Sequence, residues 1–208
     1  MKYQNKEELL EILAHDGMKL KEIEDDMKYD EDVVITSLKS TLSALQYVDE
    51  KFSTDKHFIM RAIKETPWAL FIYKFADEKI ASQEDVVIES VKKDGQVLAF
   101  AGKKFNNRKD LAYLALNAKK HAGIEYVGAE LKNDAEFMLE VLTTRPEEFH
   151  HISPMLKSDI AFLAQAVLAN KSVLKFVDKD LVNIIKDYIV EKMQNQNNEN
   201  QNSSIEIV

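Results

Sequence analysis

Apolar residues fall in dense blocks that return at a nearly constant interval. The short polar residues Asp30, Thr54, Ser82, Asn107, Asn133 and Ser158 are spaced by 24, 28, 25, 26 and 25 residues. Each stands just ahead of an apolar block, where a side-chain oxygen can accept from the free N–H groups of a helix start. The blocks are Val33-Val34-Ile35, Phe58-Ile59-Met60, Val86-Val87-Ile88, Leu111-Ala112-Tyr113, Phe137-Met138-Leu139 and Phe162-Leu163-Ala164. A second apolar pair follows in each unit, as in Ser37-Leu38, Ala62-Ile63 and Ser90-Val91. Together they cover most of a helix circumference, so each of these helices is expected to lie between neighbours rather than on a surface.

The second half of the unit is equally regular. One column reads Leu45, Tyr73, Leu98, Ile124, Phe149, Leu174, and an aromatic column follows with Tyr47, Phe75, Phe100, Tyr126, His151 and Phe176. A turn column of Asp49, Asp77, Gly102, Gly128, Ser153 and Asp178 ends it, and an apolar residue returns three positions on. This spacing predicts a short second helix, a stop, and one further helical turn, with Pro154 at its permissive first position.

A hairpin of this size cannot bury its own apolar faces and must stack on the next. The expectation is all-α: an α-solenoid of about six hairpins of roughly 25 residues over 29–181. A charged, incomplete unit over 1–28 and a helix over 182–193 serve as terminal caps of a single domain, 1–193. The Asn- and Gln-rich tail, 194–208, lacks core residues and is expected to be disordered.

The stretches Asp85-Val86-Val87-Ile88-Glu89-Ser90-Val91-Lys92-Lys93-Asp94-Gly95 and Tyr126-Val127-Gly128-Ala129-Glu130-Leu131-Lys132-Asn133-Asp134 resemble a tandem-repeat family known as domain of unknown function 4116. The resemblance covers roughly 29–181 and is strongest over 82–159. It departs from the family pattern at 67–75, lengthened by three residues, and at His151, which replaces the aromatic. The resemblance implies helical repeats found in bacterial and protist proteins, some similar to effectors of intracellular pathogens. It brings no catalytic residues and suggests a binding role.

Composition narrows the function. The chain has 208 residues, no cysteine, and 36 acidic against 28 basic side chains. Disulfide scaffolds and thiolate metal sites are excluded, and no apolar run approaches the roughly 20 residues that cross a bilayer. The first helix candidate alternates Glu and Leu, unlike a secretory leader, so a cytoplasmic protein is expected, with signal-independent export compatible. A net charge of -8 argues against nucleic acid as the main partner.

Glu147 and His150 have the Glu-x-x-His spacing of metal-binding helices, but no second pair accompanies them. No metal site and no cofactor is expected. The acidic cluster Glu22, Glu24, Asp25, Asp26, Asp30, Glu31 and Asp32 lacks the order of a calcium loop and reads as solvated surface. Lys92, Lys93, Lys103, Lys104, Arg108, Lys109, Lys119 and Lys120 fall at the ends of neighbouring hairpins, either for solubility or as one zone for an anionic partner. Trp68 is the sole tryptophan, in a column otherwise filled by Ser43, Gln96, His121, Glu147 and Ser172. It either folds onto Phe71 and Ile72 or, with Phe71, centres a partner groove flanked by Arg61 and Lys64. The expected function is a non-catalytic adaptor that binds a partner peptide or helix, similar to bacterial effectors and secretion chaperones. The alternatives are an enzyme with a dispersed site and a binder of phosphate-rich ligands through the lysines.

Overall fold

The computed structural model describes residues 5–24 and 26–205, with side chains through 195. Among the described residues the chain is mostly helical and has no strand. Its residues group into two compact units, 1–126 and 127–208, where the repeat pattern predicts one domain.

The first unit holds the main helices Lys6–His15, Glu31–Ser40, Lys56–Glu65, Glu84–Lys93 and Lys109–Leu116. The second holds Ala135–Thr144 and Ile160–Ala169. Their caps are Asn5, Asp30, Asp55, Gln83, Arg108, Asp134 and Asp159. Five caps thus lie one residue beyond the expected position. The hydroxyls of Thr54, Ser82 and Ser158 donate back into the turn before them, to Lys51, Lys79 and Pro154 carbonyls. After Thr54 and Ser158 the next residue is a carboxylate that does the capping: Asp55 accepts from His57 and Phe58 N–H, and Asp159 from Ala161 and Phe162, whereas Gln83 and Arg108 make no side-chain cap bond. The N-terminal segment is also a fuller repeat than its charge suggests, since Asn5 caps its main helix and two 3-10 turns, Gly17–Glu22 and Asp26–Tyr29, follow.

Within the first unit each main helix packs on the next, and in the second Ala135–Thr144 packs on Ile160–Ala169. Phe58, Ile59, Ala62 and Ile63 of the Lys56–Glu65 helix are wholly buried, as are Val86, Val87 and Val91 of the following one. Each of the Val, Ile and Phe side chains among them contributes about 1.5–3 kcal/mol on burial. The sandwiching read from the sequence is therefore present.

The second helix differs. Leu42–Tyr47, Gly95–Ala99, Pro146–His151 and Lys171–Lys175 are 3-10 turns, whose tighter winding suits five or six residues. Only the lengthened segment forms a regular α-helix, Ala69–Phe75. Residues 118–126 form none, and the boundary between the two compact units follows them. The aromatic column is not packed inward throughout, since Tyr47 is 41% and Phe100 47% exposed. The last helix, Lys179–Ile205, continues into the segment expected to be disordered. A helix already nucleated gains one hydrogen bond per added residue, which carries it into a stretch whose Asn and Ser residues are weaker helix formers than its Gln and Glu.

Candidate functional site

Trp68 precedes the Ala69–Phe75 helix and is half-buried. Its indole Nε1 donates to the Leu38 carbonyl oxygen at 2.7 Å. Leu38 lies in the last turn of the Glu31–Ser40 helix, whose final carbonyls have no partner within the helix, so the tryptophan satisfies one of them. Its backbone N–H donates to Thr66 Oγ1 at 3.4 Å. The indole is fixed before any ligand arrives. Phe71, one turn on, is 45% exposed. Of the residues in equivalent positions, Ser43, His121 and Glu147 are exposed and Gln96 and Ser172 half-buried, so the column faces water as expected.

Arg61 does not stand free beside this surface. Its guanidinium meets Asp32 at 2.6 Å, Glu65 at 2.8 Å and Glu31 at 3.5 Å, and the hydrogen bonds to Glu65 and then Asp32 raise its pKa further. Arg61 ties three points of adjacent helices together. The same network absorbs much of the acidic cluster: Lys6 pairs with Asp30 at 2.9 Å and Asp32 at 2.7 Å, and Lys19 with Glu22 at 2.8 Å. Asp25 lies outside the described residues. Lys64 is exposed, and its carbonyl oxygen accepts from Lys93 Nζ.

The lysine zone divides. Lys92 pairs with Glu89 at 2.7 Å, and Arg108 bridges Glu84 and Asp110 at 2.8 and 2.5 Å. Lys103 and Lys104 belong to the one-turn helix Lys103–Asn106, with Lys104 Nζ 4.9 Å from the Phe105 ring centre, and Lys109 opens the following main helix. Lys93, Lys119 and Lys120 instead converge with Glu65, Thr66 and Pro67 on a cleft of about 320 Å³. Lys120 Nζ donates to the Pro67 carbonyl oxygen at 2.7 Å and lies 5.1 Å from the centre of the Trp68 ring.

The convergence comes from the segment without a second helix. Residues 118–123 lie along the end of the Glu84–Lys93 helix: Lys119 N–H donates to the Lys92 carbonyl, Lys120 N–H to Lys93, and Gly95 N–H to Lys120. His121 has the left-handed φ of 46°, uncommon outside glycine. Its Nδ1 lies 2.8 Å from Oδ1 of buried Asp94. Gly95 makes the approach possible, since a Cβ there would fall 2.4 Å from the His121 carbonyl oxygen. Sequence reasoning missed this clamp: Ala118, Lys119, Lys120 and Ala122 are good helix formers, and Ile124 and Tyr126 keep the repeat's columns.

The Glu147 and His150 pair forms no centre. Both are exposed, and the His150 ring stacks edge-on to Phe176 at 5.1 Å. His151, in the aromatic column, is half-buried. Among the described residues no three His, Asp or Glu side chains are grouped to hold a metal, and no helix is long and apolar enough to cross a membrane.

The family described as domain of unknown function (DUF4116) matches residues 5–53, 30–80, 55–106 and 134–182. The chain belongs to this family. Each match begins on a helix cap, at Asn5, Asp30, Asp55 or Asp134, and takes in two successive main helices. Residues 107–133, within the stretch of strongest expected resemblance, fall outside the matches and contain the clamp that carries Lys119 and Lys120. No curated protein and no solved structure matches the chain.

Proposed function

We propose that the repeats stack in the manner of an α-solenoid within each unit, and that the chain is a non-catalytic adaptor which binds a peptide or helix of another protein. The setting that fits is a bacterial cytoplasm, or a host cell after export, in the role of an effector or secretion chaperone. One observation carries the reading: Trp68 stands where other repeats present polar residues, its indole is anchored to Leu38, and Phe71 beside it is exposed. A tryptophan already held in place loses little freedom on binding, and tryptophans dominate interface energetics. The extra residues of 67–75, which convert a 3-10 turn into the α-helix Ala69–Phe75, supply this surface.

Affinity capture from the native cell with the wild type and Trp68→Ala tests it. A partner retained by the wild type and weakened by about 2 kcal/mol in the variant is expected. Equal retention by both, with the variant folded, would move the site elsewhere.

A further inference from the structure

We propose that the cleft between the Lys56–Glu65 helix end and the 118–123 clamp is an oxyanion site for a carboxylate of an acidic peptide in the partner, seated beside Trp68; this rests on the adaptor reading. Three lysines, Lys93, Lys119 and Lys120, line the cleft together with Glu65, Thr66 and Pro67. Among the described residues none of them is in ion-pair distance of a carboxylate. The carboxylates nearby are already taken: Glu65 is held by Lys39 at 2.6 Å and Arg61 at 2.8 Å, and Glu89 by Lys92 at 2.7 Å. Positive charge is thus in surplus here, on a chain whose net charge is -8.

The lysines are positioned rather than loose. Lys93 and Lys120 donate one hydrogen each to the Lys64 and Pro67 carbonyls, and an ammonium has three hydrogens, so each retains donors for a ligand. These carbonyls hold the side chains without neutralising them. Burial first, and then the Lys119 charge, holds the Lys93 pKa below its ordinary value, while Glu89 opposes weakly. An anion in the cleft offsets the repulsion behind that second cause. The cleft also adjoins the aromatic surface, since Lys120 covers the Trp68 ring. A bound peptide with an acidic residue next to an apolar one meets both features.

The location within the sequence supports a dedicated site. Lys119 and Lys120 reach Lys93 only because 118–123 bonds to Lys92, Lys93 and Gly95 in place of forming a second helix. That segment is the one the family pattern passes over.

Titration calorimetry at constant ionic strength tests the site, with hexaglutamate and inorganic phosphate as probes. Hexaglutamate should bind the wild-type chain saturably, and Lys93→Gln combined with Lys119→Gln should weaken it by roughly tenfold or more, the loss of charge-assisted hydrogen bonds. Lys119→Gln alone, at an exposed position, should weaken it measurably and covers the case in which the double variant does not fold. Lys103→Gln with Lys104→Gln should bind as the wild type does. Absence of saturable binding, or equal binding by the Lys119 and Lys103/Lys104 variants, would overturn the site. Inorganic phosphate saturating at the same concentrations as the peptide would overturn the peptide carboxylate as ligand. A captured partner that ignores the lysine substitutions but needs Trp68 would remove the cleft and leave the adaptor; peptide binding without any captured partner would do the reverse.

Discussion

At the residue scale, Trp68 performs two separable tasks. Its N–H closes the Glu31–Ser40 helix through Leu38, and its ring faces the cleft side under Lys120. Trp68→Phe keeps a ring but orphans the Leu38 carbonyl, so denaturant unfolding should show a loss of about 1 kcal/mol. An unchanged midpoint would mean that water replaces the indole. The sequence exposed Trp68 as an anomaly because its column is polar elsewhere. It could not show the partner, which lies 30 residues away. For the same reason Arg61 looked available to flank the groove, whereas carboxylates from the preceding helix and its own next turn occupy it. The lysine zone was legible as a set of residues and not as a site: which of them converge depends on the clamp, and 118–126 keeps the apolar spacing of the other units, with Ile124 and Tyr126 in the repeat columns, while forming no helix.

At the element scale, the repeat is written in caps and cross-helix ion pairs. Gln83 is a cap without a side-chain hydrogen bond, where four equivalent caps are Asp. Gln83→Asp should therefore stabilise the chain by about 0.5–1 kcal/mol, and Asp55→Ala should cost about 1 kcal/mol, both read from thermal or denaturant unfolding. The ion pairs link neighbouring helices, as in Lys39 with Glu65 and Lys56 with Asp85. A hydrogen bond from the cation is the leading cause that holds Asp32, Glu65 and Asp85 below their ordinary pKa. Such carboxyls bind protons less readily folded than unfolded. Their stabilisation is complete above the unfolded pKa and is lost as pH falls through the folded one. Stability should decline below about pH 4.5, the ordinary value for Glu65. Glu65→Gln should be less stable than the wild type at pH 7 and lose less on acidification, with the gap reduced by salt because the pairs are solvent-exposed. Parallel pH curves for the two would remove Glu65 from the acid response.

At the scale of the whole molecule, the interval of apolar blocks was enough to give an all-helical repeat and to show which faces are buried. It misplaced most caps by one residue; at Thr54 with Asp55 and at Ser158 with Asp159 the reason is that hydroxyl and carboxylate neighbours both look like caps until the hydroxyls are seen bonded backward. It did not give the clamp at 118–123, which depends on Gly95 accepting a close backbone contact. The family matches describe two-helix frames that restart at each cap; within the chain itself, 67–75 is longer than the equivalent segment of the other repeats, and 107–133 falls outside the matches. Both contribute to one surface of the first unit, where Trp68, Pro67 and Lys120 meet. The most direct measurement is site-specific photo-crosslinking in the native cell, with a benzophenone amino acid replacing Phe71 and, as control, Met155, which is 60% exposed in the second unit. A discrete adduct with another protein from position 71, absent from position 155 and lost when Trp68→Ala is added, is the predicted result. No adduct from position 71, or the same adducts from both positions, would contradict a binding surface at Trp68.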